Sequence, residues 1–140
     1  MENFEKLKDE LFSQYAQIAC LPLRTEALVH TTAVLCAIEL LDTQTDINSR
    51  RYAALLHDVG RYLYNAPDHA KRSAQFAESL GMDSDIVSAI ARHPRKKEAD
   101  ELPLAEDLKD ADVLARWLVD PTYTHERLEA AKLRCPCFRP

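Results

Sequence analysis

The chain has 140 residues, 46% of them hydrophobic and 29% charged, a composition that fills one globular domain and excludes intrinsic disorder. Only two glycines are present, Gly60 and Gly81, which excludes a P-loop and a G-x-G-x-x-G dinucleotide fingerprint and argues against an all-β fold. The net charge of −5 disfavours a broad nucleic-acid surface, and the longest apolar run, residues 33–38, is too short to span a bilayer.

The charged stretch MENFEKLKDE lacks the apolar segment of a secretory signal, so a cytoplasmic location is the expectation. Phe4, Leu7, Leu11, Tyr15 and Ile18 recur every three or four residues and predict a helix over 3–18. Pro22 is expected to break the chain, with a second helix over 25–41. Residues 43–48 are polar and read as a loop, followed by a third helix over 49–64. Asn65-Ala66-Pro67 is a breaker, and Asp68 suits the N-cap of a fourth helix that ends at Gly81. Asp83 suits the N-cap of a fifth, which Pro94 stops near His93. Residues 95–101 are highly charged and read as a solvated loop. Pro103 fits the first turn of a sixth helix reaching Val119, Pro121 ends it, and a seventh covers 124–134. No segment reads as a strand. The expected fold is an all-α, single-domain bundle of about six to seven helices spanning the whole chain. Cys20, Cys36, Cys135 and Cys137 read as free thiols, because the Cys135-Pro136-Cys137 spacing is not that of a zinc knuckle.

The informative signal is polar chemistry placed where a core belongs. His30 is in phase with Val34, Ala37 and Ile38, and His57-Asp58 follows Ala53-Ala54-Leu55-Leu56. His69 is in phase with Ser73, Phe76 and Leu80, and His93 shares a stripe with Ile86, Ala89 and Ile90. Asp112 lies on the stripe of Leu104, Leu108, Ala111 and Ala115. A lone histidine on an apolar face is usually a hydrogen-bonded core residue, and Asp112 alone could pair with Arg116 one turn later. Six such groups converging on one interior are a different matter, since a buried carboxylate is costly unless paired or metal-bound. Imidazole and carboxylate are donors that divalent transition metals select. Six of them exceed the needs of one catalytic ion and suit two ions sharing a carboxylate. His125, in Thr-His-Glu-Arg near a helix start, reads as a surface residue.

His30 in ALVHTTAVL, His57-Asp58 in AALLHDVGRY and Asp112 in LKDADVLAR make the pattern similar to the HD-domain superfamily of metal-dependent phosphohydrolases, over residues 24–117. Asp112 rather than Asp110 is taken as the final aspartate because it lies on the apolar stripe and in an Ala-Asp-x-Leu context. Many two-metal members add two histidines between the HD pair and the last Asp, and His69 and His93 match that arrangement. The resemblance implies two divalent transition-metal ions (Fe, Mn, Zn, Ni or Co). His30, His57, Asp58 and Asp112 hold one, and Asp58, His69 and His93 hold the other. Where members often carry Lys after the glycine, this chain has Arg61, which holds phosphate in a more bidentate manner.

The implied activity is hydrolysis of a nucleotide or other small phosphorylated metabolite by metal-activated hydroxide attack on phosphorus. Asp58, as the shared ligand, and Arg61 are the expected catalytic residues. Arg61, Lys71, Arg72 and Arg95 are the candidates for binding the substrate phosphate, with Lys96 and Lys97 beside Arg95. Two rival readings keep the same residues. One is a di-iron HD-type oxygenase cleaving a C–C or C–P bond, and the other is a non-catalytic nucleotide-binding sensor. No nucleic-acid polymer or membrane partner is expected, and a homodimer is plausible on base rates alone.

Overall fold

The computed structural model describes residues 3–95 and 101–138, so the charged stretch containing Lys96 and Lys97 lies outside the described residues. Among them are eight α-helices, a short 3-10 turn at Pro136–Phe138 and no strand. The helices are α1 (Phe4–Tyr15), α2 (Leu21–Leu40), α3 (Ile47–Leu56), α4 (Val59–Tyr62), α5 (His69–Ser79), α6 (Ser84–Arg92), α7 (Pro103–Val119) and α8 (Leu128–Leu133). The fold is all-α. None of the described helices is long and apolar enough to cross a membrane.

Local chemistry accounts for most of the boundaries. The Asn3 side chain caps α1 by accepting from the Lys6 amide, Asp46 caps α3 through Ser49, and Asp68 caps α5 through Lys71. Gly81 adopts φ +79° after α5, and the Met82 amide reaches back to the Ala77 carbonyl, closing a Schellman-type end that only glycine enters without strain. Asn65, at φ 45°, ends α4 in the same left-handed region, which asparagine tolerates better than most residues.

Three boundaries correct the sequence reading. Pro22 does not break the chain but sits in the first turn of α2, which therefore begins at Leu21 rather than near Thr25. A proline there loses nothing, because first-turn amides have no intrahelical partner. The helix predicted over 49–64 is two helices, because Asp58 leaves helical geometry at φ −119° and ψ 15°. The last helix begins only at Leu128, with a turn before it.

Helix α2 lies along α7, α5 lies across α4 and α6, and α1 covers α2 and α3. Between them Val34, Ile38, Leu55, Leu56, Ile90, Leu108 and Leu114 are fully buried. Each contributes about 1.5–3 kcal/mol from removing its side chain from water. Under the junction of α3 and α4, the Tyr15 ring meets the Tyr62 ring edge-on at 5.4 Å.

One face of α7 is locked by ions rather than hydrocarbon. Buried Asp107 and Asp110 both pair with Arg134, Asp110 at 2.5 Å, and Arg127 reaches Asp110 at 2.9 Å and Glu106 at 3.0 Å. Thr43 and Thr45 hydroxyls also donate to Asp107, at 2.9 and 2.5 Å. Cys135 is buried here, while Cys20, Cys36 and Cys137 are exposed, and all four are free thiols. Removing Arg134 takes away the arginine paired with buried Asp107 and leaves buried Asp110 with Arg127 alone. Arg134→Ala is expected to cost about 2–3 kcal/mol, below the full penalty of an unpaired buried charge because Arg134 is 28% exposed. Urea denaturation measures it, and a loss below about 0.5 kcal/mol would mean that this network is not structural.

Candidate metal centre

Five side chains from separate helices meet at one end of the bundle. His30 comes from the middle of α2, His57 from the end of α3, Asp58 from the break before α4, His93 from the end of α6 and Asp112 from α7. His30 Nε2 lies 2.9 Å from Asp112 Oδ1 and 3.7 Å from Asp58 Oδ2. His57 Nε2 lies 3.2 Å from Asp58 Oδ2 and 3.7 Å from Asp112 Oδ1. The two imidazole Nε2 atoms are themselves only 3.4 Å apart. His93 Nε2 approaches the other oxygen of Asp58, Oδ1, at 3.6 Å. His30, His57 and Asp58 form the tightest group, each offering one ligand atom within 4.8 Å of the others.

The outer nitrogens explain why these rings face inward. His57 Nδ1–H donates to the Ala54 carbonyl at 2.7 Å, and His93 Nδ1–H donates to the Ile90 carbonyl at 2.7 Å. Each histidine is the C-cap of its helix, where carbonyls lack intrahelical donors. The same side chain thus finishes the helix and orients its ring, with Nε2 aimed at the carboxylates. This is the outer-shell arrangement that metal-ligating histidines use.

Electrostatics show what the cluster needs. Burial pushes Asp58 up, yet His57 and His93 outweigh it and hold the carboxyl well below its usual range. Burial likewise pushes Asp112 up, and His30 and His57 bring it far down. Burial pulls the His57 imidazole down, but the two carboxylates together push it up to about 10. Tyr15 and Tyr62 beneath the cluster are pushed up by burial and by the Asp58 charge, so both phenols stay neutral. In the protein alone, a proton on His57 supplies positive charge beside the buried Asp58 and the half-buried Asp112 carboxylates. Neutral imidazole and carboxylate donors converging on one place are the donor set of a divalent transition metal, so the residues present fit such ions.

A cavity of about 590 Å³ opens over the cluster, bordered by Asp58, His93 and Asp112. His69, in the first turn of α5, lines this cavity and stands outside the tight group. Its approach depends on Gly60. A Cβ there would lie 2.4 Å from the His69 carbonyl and 2.8 Å from the Ser73 amide, while the Gly60 amide donates to Ser73 Oγ at 2.8 Å. Only a glycine lets α5 come this close to α4.

The cationic candidates separate. Arg61 lines the cavity, its Nε bonded to Glu26 Oε2 at 2.9 Å. Arg72 instead lays its guanidinium over the Tyr64 ring at 3.8 Å. Lys71 lines an adjoining cavity with Gln75 and Glu78, which shares Asp68, Ala70 and Pro94 with the first, and Arg95 lines that cavity and another bordered by His93. Three charged cavity residues were missed as site residues, Glu26, Asp68 and Arg116, with Asp68 read only as a helix cap. The signal for Glu26 and Arg116 was available, since Glu26 precedes His30 by one helical turn and Arg116 follows Asp112 by one. Arg116 Nε lies 3.9 Å from Asp112 Oδ2. His125 is exposed.

Two expectations follow from this geometry. Gly60→Ala should destabilise the protein by about 1–3 kcal/mol through overpacking of α4 on α5, read as a lower denaturation midpoint; an unchanged midpoint would mean that the helices part without cost. In chelator-treated protein, the raised His57 contributes stability below pH 6.5 that is lost as the pH climbs through about 10. The lowered aspartates contribute above their usual value of 3.8 and lose that contribution on acidification. Melting temperature without metal should therefore fall from pH 6.5 towards 9, and the gain on adding metal should widen over the same interval. A gain independent of pH would show that metal does not displace protons from this cluster.

The family model described as HD domain matches residues 27–117. No solved structure matches the chain. The matched stretch runs from just before His30 to just past Asp112 and covers more than half of the protein, and on that ground the chain belongs to the HD-domain family.

Proposed function

We propose that this protein is a metal-dependent phosphohydrolase acting on a nucleotide or another small phosphorylated metabolite. The observation that carries the reading is the convergence of the buried Asp58 and half-buried Asp112 carboxylates with three inward-facing imidazoles under a cavity that also holds two arginines. The family is one of metal-dependent phosphohydrolases for the most part, and the cavity volume of about 590 Å³ is that of a small-molecule site.

His30, His57, Asp58 and Asp112 would hold one ion, and Asp58, His93 and His69 would hold a second, with Asp58 shared. Bound there, divalent ions supply Lewis-acid stabilisation of charge on phosphoryl oxygens and make water a nucleophile near neutral pH. The protein supplies the rest. Buried His57 and the apolar wall behind it keep bulk water from the inner side of the cluster. The Ala54 and Ile90 carbonyls hold the His57 and His93 rings, so no reorientation is needed during reaction. Glu26 holds Arg61 through Nε, leaving the guanidinium's other N–H groups for phosphoryl oxygens. Arg116, 43% exposed and lining the same cavity, adds a second positive charge where the phosphate would enter.

Protein purified without added metal or chelator is expected to carry about two transition-metal ions per chain and to release phosphate from small phosphate esters in oxygen-free buffer. Asp58→Ala should lose both ions and lower phosphate release by on the order of 1000-fold or more. One ion per chain in the unsubstituted protein would restrict the site to His30, His57, Asp58 and Asp112. Full activity in Asp58→Ala, or turnover that requires iron and oxygen, would overturn the hydrolase reading.

A further inference from the structure

A second cavity, of about 760 Å³, adjoins the first and shares His93, Pro94 and Asp112 with it. Its outer wall is built by Tyr123, His125, Arg127 and Ala130, all of which follow the stretch that the family model matches. The two cavities differ in chemistry. The first is ringed by carboxylates, imidazoles and arginines, which suits a phosphoryl group. The second also carries charged residues, among them Glu106, Asp110, Arg127 and Arg134, and adds two aromatic rings together with Val113 and Ala130.

The rings are held in place. Tyr123 and His125 lie nearly parallel, 13° apart in plane and 6.3 Å between centroids. The Asp120 side chain accepts from the Thr122 amide at 3.0 Å and from the Thr122 hydroxyl at 2.6 Å. The Tyr123 amide then donates to the Asp120 carbonyl at 2.9 Å, closing a tight turn. His125 Nδ1 accepts from the Arg127 amide at 3.0 Å, which sets that ring and leaves Nε2 as its N–H. Arg127 is in turn anchored to α7 through Asp110 and Glu106. A pair of parallel rings fixed before the ligand arrives binds a flat group with little loss of freedom. Stacking on such rings needs no base-specific hydrogen bond.

We infer that the Tyr123–His125 pair is a stacking shelf for a flat heteroaromatic group on the substrate, whose phosphate lies at the Asp58 and Asp112 end. The inference rests on the phosphohydrolase reading for the position of the phosphate, and it narrows the substrate to a phosphate ester of nucleoside type. A bare sugar phosphate would fill the first cavity and leave the shelf unused.

The test is equilibrium titration of the metal-loaded protein with adenosine and with ribose, alongside KM values for adenosine 5′-monophosphate and ribose 5-phosphate. Adenosine is expected to bind at least about 10-fold more tightly than ribose. Tyr123→Ala should weaken adenosine by about 10-fold, and Tyr123→Phe, which keeps the ring, should restore it. The KM preference for the nucleotide should shrink in the Ala variant by a similar factor. Equal binding of adenosine and ribose, or adenosine affinity unchanged in Tyr123→Ala, would overturn the shelf. Phosphate release at similar KM from both esters would also reject the shelf while leaving the hydrolase reading intact. Adenosine binding that depends on Tyr123, with no phosphate released from any ester, would keep the shelf and reject the hydrolase.

Discussion

Two carboxylates, Asp58 and Asp112, sit among imidazoles at the end of an otherwise apolar bundle, and the surrounding structure keeps both of them charged. Burial alone would neutralise them. His30 and His57 bridge the two at 2.9 and 3.2 Å, and His93 closes on the free oxygen of Asp58. Helices α2, α3, α6 and α7 must all be in register for this to hold, because each contributes a ligand-type side chain, and His30 and Asp112, which meet at 2.9 Å, are 82 residues apart. The outer nitrogens then make the arrangement rigid. His57 and His93 each spend Nδ1–H on a terminal carbonyl of their own helix, so helix ending and ligand orientation are one event. A break in the helix at Asp58 turns its carboxylate toward the cluster, in a segment where helical periodicity alone would have continued one helix.

Helix α7 carries two electrostatic tasks on different faces. Asp110 and Asp112 are two residues apart, which places them about 200° apart around the helix. Asp112 faces the imidazoles, and Asp110 faces Arg127 and Arg134. The arginines that satisfy Asp110 also tie the segment after α7 to the bundle. Through Arg127 that network reaches the Tyr123–His125 turn at the mouth of the second cavity. The polar core is therefore two separate networks on one helix, one converging on a site open to solvent and one fastening the wall beside it.

Much of the fold could be read directly from residue order. Capping by Asp68, termination at Gly81 and the first-turn proline of α7 all depend on neighbours within a few residues. Reading failed where two local rules competed. Pro22 serves equally as a breaker or as a first-turn residue, and Leu21 lies on the helical side of that choice only because α2 extends over the bundle. His57-Asp58 follows a smooth apolar run, and nothing in its periodicity announces that the helix stops there. Arg72 and Lys71 look like Arg61 as isolated cations, and their separation into a ring-stacked, a solvent-facing and a cavity-lining residue depends on which face of α5 meets α4.

By itself the sequence determined an all-α chain, the helical phase of His30, His57, His69, His93 and Asp112, and the preference for Asp112 over Asp110. These are consequences of spacing along one helix, and short-range sterics and amphipathicity are enough to set them. Tertiary structure alone decided which donors meet, how closely α5 approaches α4 across Gly60, and that Glu26, Arg116, Tyr123 and His125 border the cavities. Those outcomes depend on distances between helices far apart in the chain. Such distances are set by the volume of the buried side chains between them, which no local pattern encodes.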